Sequence, residues 1–353
     1  MTSATHSFAA PAAFRHVPGL LLAAAVAAAA TAAGRLGWLQ ANGASVLTLA
    51  IAIGLVAGNL LPATALDACA DGLNLARQRL LRAGIVLYGL RLTFQDIGHV
   101  GLAGVAIDAT VLCSTFALAC ALGTRVFGLD RTTAILIGAG SSICGAAAVM
   151  AAGPVVRGRP EQVAVAVATV VGFGSVAIFL YPALYHLLAG VHPLTATSYG
   201  LWAGSTIHEV AQVVAAGHAV GDAAADTAVI EKLVRVMMLA PFLVALSAWF
   251  ARSGTRDASQ PRPPIAMPWF VLGFMALAGL RSLDVLPAAA IAAADTVDIA
   301  LLAVSMAALG LTTRLSAMKA AGLAPLGLGA MLFAWLVVGG GALNRGLGAL
   351  LAS

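Results

Sequence analysis

GAGSSICGAAAV, residues 138–149, lies inside an apolar segment long enough to enter a bilayer, yet it carries three glycines and two adjacent serines where hydrocarbon rewards leucine. Sixty-four residues later AGSTIHEVAQV (203–213) repeats the Ala-Gly-Ser-Ser/Thr-Ile opening and adds His208 and Glu209. Backbone amides and carbonyls cannot stay unpaired in hydrocarbon. An interrupted helix at depth therefore persists only where it is buried in protein or lines a wet cavity. The chain contains two such interruptions.

The surroundings fit. Of 353 residues, 61% are hydrophobic and 9% charged, against roughly 25% charged in a soluble domain. Apolar segments recur at about 17–33, 45–61, 80–94, 101–123, 132–152, 161–181, 195–216, 226–250, 267–281, 296–312 and 322–350. Most are long enough to cross roughly 30 Å of hydrocarbon. The expected fold is an all-α polytopic membrane protein with 9–11 transmembrane segments, partnered by the lipid bilayer. The net charge of +5 comes from arginines placed singly or in small groups between apolar segments, a topology signal that excludes a nucleic-acid surface. Cys69, Cys113, Cys120 and Cys144 form no C-x-x-C pair and have no histidine cluster beside them. Free, buried thiols are expected, with no metal and no cofactor.

Residues 19–33 follow Arg15 and resemble either a signal-peptide core or a first membrane helix. We adopt the helix, because the rest of the topology wants the amino terminus inside. The expected organisation is a tail and first helix over 1–44, then one domain over 45–353 with halves 45–181 and 195–353. Residues 62–82 look like an amphipathic surface piece, and the Arg/Ser/Pro-rich stretch 251–264 like a loop.

If every segment crosses, Arg157 and Arg159 fall outside, against the positive-inside tendency. If instead 132–152 and 195–216 dip in and return, the arginine groups all lie inside and Asp222, Asp226 and Glu231 outside. GLRLTFQDIGHVGLA (89–103) and GLTTRLSAMKAAGLA (310–324) share their first and last residues at identical spacing, which suggests an inverted repeat. Full crossing by two broken helices stays open.

Glycines permit a break and hydroxyls cap the helix beyond it. With Ser141 or Ser142 as N-cap, the half-helix from Ile143 presents free amides and a positive dipole end to the gap, a place for an anion. Thr206 and Glu209 have the T-x-x-E spacing of a capping box. His208 and Gln212, four apart, are expected on one helix face lining a cavity. Gly140 and Gly204 open the two turns, beside Ser205. Small-residue runs also serve tight helix packing, but titratable groups inside a membrane are costly and mark function. Lys232 is placed at the membrane boundary, its ammonium snorkelling outward. Arg235, about 13 Å into a helix starting near Asp226, needs an acceptor: Glu209, or a transported oxyanion.

Four blocks in order, LYGLRLTFQDI (87–97), GAGSSICGAAAV, YGLWAGSTIHEVAQVVAAG (199–217) and KLVRVMMLAP (232–241), resemble the YeiH-like family of bacterial inner-membrane proteins, also labelled the sulfate exporter family. The resemblance runs from about residue 45 to the carboxyl end. It implies a multi-pass inner-membrane carrier distantly similar to the cation/proton antiporter and anion transporter group, with inverted repeats and interrupted helices. The stretch 139–149 also looks like the interrupted helix of bile-acid symporters. "GSS" stands here for their Pro-Gly-Gly, so their sodium-site residues do not carry over. The label gives a substrate class, not a substrate.

The sequence therefore leads to a secondary transporter of a small anion, sulfate-like or a small carboxylate, rather than an enzyme. Gly140, Ser141, Ser142, Gly204, Ser205, Thr206 and Arg235 are the expected substrate contacts. His208, Glu209 and Gln212 are expected to couple a proton or to line the cavity. The alternatives are a sodium-coupled or cation/proton carrier holding its cation at Glu209 and Gln212, a channel or sensor, and an intramembrane hydrolase using Ser142 with His208. A homodimer stays open.

Overall fold

A computed structural model describes residues 15–36, 45–190, 193–252 and 269–351; the expected tail, 1–14, and most of the 251–264 loop lie outside them. All regular structure among the described residues is helical. In chain order the helices are α1 (Val17–Ala33), α2 (Val46–Leu60), α3 (Ala63–Leu75), α4 (Leu81–Tyr88), α5 (Phe94–Arg125), α6 (Arg131–Ser142), α7 (Ala146–Val155), α8 (Pro160–Leu188) and α9 (Ala196–Thr206). There follow α10 (Val210–His218), α11 (Asp222–Met237), α12 (Leu239–Arg252), α13 (Trp269–Ser282), α14 (Ala288–Thr312), α15 (Leu315–Ala320), α16 (Leu323–Ala334) and α17 (Gly340–Leu351). Among the described residues five stretches are long and apolar enough to cross a membrane: Ala103–Arg125, Pro160–Leu188, Asp222–Phe250, Ala288–Thr312 and Leu323–Leu347. Shorter apolar helices, α1, α2, α7 and α13 among them, complete the all-α polytopic architecture.

The chain forms two compact units, each discontinuous in sequence. The first comprises residues 1–84 and 297–313. Its helices meet at glycines, as van der Waals association in lipid favours. A Cβ on Gly54 of α2 would lie 2.5 Å from the Ala307 carbonyl oxygen of α14, and one on Gly310 2.7 Å from the Leu55 amide. Asn59 closes the end of this crossing by donating to the Leu55 and Thr313 carbonyls at 2.9 and 3.0 Å. Residues 62–82 are no surface appendage: Leu66, Gly72, Leu73 and Ala76 are buried, because Gly72 lets α3 touch the α1 backbone at Gly19. Gly54→Leu is expected to destabilise this unit by about 1–3 kcal/mol through overpacking, read as a lowered unfolding midpoint in detergent. A wild-type midpoint would show that the α2–α14 crossing has room to spare.

The second unit comprises 85–296 and 314–353 and holds every residue of the candidate site. Asp130 caps α6, accepting from the Thr133 amide at 3.0 Å and the Thr133 hydroxyl at 2.6 Å. Thr195 caps α9 through the Ser198 amide at 3.0 Å. Both helices then run into their interruptions.

The two stretches matched in sequence share local structure as well. A helical run ends near Gly89 or Gly310, a short helix follows, and a left-handed glycine, Gly101 (φ +48°) or Gly322 (φ +89°), precedes the long apolar helix. No side chain with a Cβ adopts such φ readily, so those glycines fix the corner in both copies.

Candidate functional site

Each interruption is a hairpin in which the chain doubles back on itself. In α6–α7 the turn is Ile143–Gly145: Ile143 leaves the helical region (φ −125°, ψ −86°) and Gly145 is left-handed (φ +69°). A straight helix would separate Leu136 from Gly158 by roughly 33 Å. Instead a Cβ on Gly158 would sit 3.0 Å from Leu136 Cδ1, and one on Gly140 2.7 Å from Val149 Cγ2. Gln162 closes the base of the hairpin by donating to Asp130 at 2.8 Å. In α9–α10 the turn is Ile207–Glu209, and the Tyr199 hydroxyl donates to the Ala216 carbonyl at 3.0 Å across the doubled-back chain. Gly200 and Gly204 of α9, and Gly217 of α10, let both arms approach α11 at Ala224, Ala228 and Ala225.

The two tips meet, and α11 holds them from one side. Lys232 donates to the carbonyls of Ile143 (2.7 Å) and Ile207 (2.5 Å), the first residue of each turn. Three residues on, and so on the same face, Arg235 donates to the Ser142 carbonyl (2.7 Å), to that of Ser141 (3.3 Å) and to that of Ser205. Both side chains are wholly buried. They sit where α6 and α9 end, at orphan carbonyls and negative dipole ends, so two cations satisfy both hydrogen bonding and field. Within the apolar stretch 222–250, Arg235 lies about 20 Å from the start, near its middle.

On the other side the tips are joined through Glu209. Its Oε1 accepts from the Ala146 amide, the first of α7, at 3.2 Å, and its own amide donates to Gln212 Oε1 at 3.0 Å. The positive end of α7 thus faces a carboxylate that belongs to the opposite hairpin.

Several expected roles change. Ser141 and Ser142 close α6 rather than cap the next half-helix; Gly145 is the N-cap, because only glycine takes the turn's φ. The capping pair is Glu209 with Gln212, one turn beyond Thr206 with Glu209. The Thr206 hydroxyl binds the Trp202 carbonyl in its own helix and accepts from Tyr181 at 2.9 Å. The Ser205 hydroxyl donates to Trp202 O at 3.2 Å and accepts from Asn344 at 2.9 Å. His208 sits in the turn, not on a helix face with Gln212, and its ring lies 6.2 Å from that of Phe333. Arg235 takes carbonyls rather than Glu209 as acceptors, and Lys232 is at the centre instead of the boundary. Glu231, expected outside, is fully buried. Of the four cysteines only Cys144 is buried; Cys113 is exposed and the others intermediate.

Two buried acids of this unit escape the sequence as functional candidates. Asp108 of α5 and Glu231 of α11 are each 0% exposed. A lone acid in the middle of the 101–123 apolar segment is the available signal for Asp108. Gly140 and Gly204 lie one turn or less before the tips, where their lack of a side chain admits Val149 and the α11 backbone with Glu231. Besides these, Gln212 Nε2 and His208 Nδ1 are buried without a hydrogen-bond partner among the described residues.

Two hairpins meeting tip to tip within this all-α unit, beside helices long and apolar enough to cross a membrane, define a multi-pass membrane protein with a polar site. The model of the family described as Conserved hypothetical protein 698 matches residues 18–329. Among curated relatives, the UPF0324 membrane protein PA5383 of Pseudomonas aeruginosa is 60% identical over 332 residues, covering 93% of this chain and 94% of that protein. The UPF0324 inner membrane protein YeiH of Escherichia coli K12 is 51% identical over 329 residues, and that of Salmonella typhimurium 52% over 328, each covering 93% of both chains. The chain therefore belongs to the UPF0324 family, to which YeiH belongs. No solved structure matches it.

Proposed function

We propose that this protein is a secondary transporter of a small anion, with its substrate site at the meeting of the hairpin tips. The observation that carries the reading is the Ala146 amide donating to Glu209 at 3.2 Å. A half-helix amino terminus in a buried site is built to receive negative charge, and here a protein carboxylate takes that place. A substrate anion competes for the same amide. Once displaced into a low-dielectric surround beside a second negative charge, Glu209 is stabilised by taking up a proton, and anion movement becomes tied to proton movement. The buried donor on Gln212 and the imidazole of His208 are hydrogen-bonding groups close to that place, and Gly145 and Gly140 keep side chains out of the turn. Arg235 and Lys232 act through the field of the two tips, fixed by the carbonyls they hold.

An enzyme is disfavoured by the Ser142 hydroxyl, which donates back to Ala139 O at 3.4 Å in its own helix instead of being presented to a base. The substrate class is tested in liposomes with sulfate, sulfite, bicarbonate and small carboxylates. Glu209→Gln is expected to keep anion binding while losing the response of flux to a pH gradient. Unchanged pH dependence in that variant would falsify the coupling. Absence of saturable flux for every anion overturns the transporter itself.

A further inference from the structure

Away from the hairpin tips, three apolar elements of the second unit end around one cavity. The stretch Ala103–Arg125 closes at Arg125, α6 opens at Arg131, and the stretch Asp222–Phe250 closes just past Trp249. The cavity between them measures about 340 Å³, within the roughly 300–1,000 Å³ of small-molecule pockets. Arg125 and Arg131 line it at the helix ends, Ala117, Cys120 and Ala121 along α5, and Trp249 on the side of α12. Ala117 comes eight residues before Arg125, so the cavity reaches roughly 12 Å back from the helix end into the apolar stretch. Both arginines and Ala117 are exposed.

Among the described residues neither arginine takes part in an ion pair, and no acid lines the cavity. Asp130, next to Arg131 in sequence, is engaged elsewhere: Oδ1 accepts from the Thr133 amide and from Gln162, and Oδ2 from the Thr133 hydroxyl. Arg131 is held by aromatic rings instead, its Cζ 4.4 Å from the centroid of Trp249 and 5.6 Å from that of Phe250. Such stacking uses the face of the guanidinium plane and leaves the N–H edge for an oxyanion.

Two guanidinium groups suit a phosphate, whose oxygens accept paired N–H bonds. The apolar remainder of the cavity gives nothing to a soluble anion and covers a hydrocarbon chain well. We infer that this cavity binds an anionic phospholipid, with its phosphate at Arg125 and Arg131 and the upper part of an acyl chain along Ala117 and Cys120. Basic pockets between helices on the cytoplasmic side bind anionic headgroups, and the positive-inside tendency puts Arg125 and Arg131 on that side. Because Arg131 begins the first hairpin, the lipid is tied to the base of that element. The inference is independent of what the protein carries.

The test is native mass spectrometry of the purified full chain from micelles holding equal amounts of phosphatidylglycerol and phosphatidylcholine with the same acyl chains. The wild type is expected to retain phosphatidylglycerol in preference. Arg131→Gln lowers that ratio about fivefold and the double variant with Arg125→Gln roughly thirtyfold. Arg314→Gln, at the start of α15, leaves it unchanged. Absence of preference in the wild type, or an equal loss in Arg314→Gln, reduces the site to diffuse surface charge and overturns it. Inorganic phosphate at millimolar concentration is expected to leave the lipid bound; full release assigns the cavity to a soluble anion and overturns the lipid. Should the double variant not fold, the wild type supplies a second measurement, with Trp249→Phe as its reference. Phosphatidylglycerol brominated in its acyl chains is expected to quench Trp249 more than brominated phosphatidylcholine does, and equal quenching overturns the proposal.

Discussion

Arg235→Met is expected to destabilise the folded protein by about 3–5 kcal/mol, the usual effect of removing one partner from a buried charge network, and to abolish anion flux. Three carbonyls, of Ser141, Ser142 and Ser205, lose their donor at once. Arg235→Lys keeps the charge but replaces a planar fork by a point donor, so it holds fewer of the three carbonyls. Its stability should fall between the other two. Unfolding monitored by tryptophan fluorescence in nanodiscs gives the first quantity and liposome uptake the second. A methionine variant that melts with the wild type would mean that the two hairpins hold together without Arg235, and its proposed role at the site would fail there.

Gly145→Ala carries the second large effect. At φ +69° and ψ −137° the backbone is in territory that residues with a Cβ enter at about 1–3 kcal/mol. The added carbon would also lie 2.9 Å from Glu209 Oε1 and closer still to its Cγ. The turn and the Ala146–Glu209 contact cannot both survive. Flux is expected to fall roughly tenfold or more, with the loss concentrated in the pH response that Glu209 supplies. Gly140→Ala, which presses on the tips of Val149 and Val170 from an ordinary helical backbone, is expected to do less. Equal effects in the two variants would place the constraint in packing rather than in the turn.

The broken backbone is legible in sequence because glycines and paired serines inside a hydrocarbon-length segment conflict with a continuous helix facing lipid, and the recurrence at 203 doubles the signal. The position of the hinge is not legible. Hydroxyl residues favour N-caps, so Ser141 and Ser142 read as the start of the second half-helix, whereas the chain turns a few residues later, where glycine alone permits it. Lys232 follows Glu231 and Asp226 in sequence and so resembles a boundary residue; only the meeting of two helix carboxyl ends accounts for a lysine at the centre. Asp108 lacks any neighbouring motif. The helix packed against its own, α11, is distant in sequence, a relation that composition and periodicity do not encode.

The distance along the chain between the first tip and its donors bears on how the molecule is made. Ile143 precedes Lys232 by 89 residues and Ser142 precedes Arg235 by 93. At about 5–20 residues per second of synthesis, the first re-entrant loop leaves the ribosome seconds before any cation exists to quiet its carbonyls. α11 is thus the bolt whose arrival lets both loops seat, and a chain ending before it lacks both donors to the first tip.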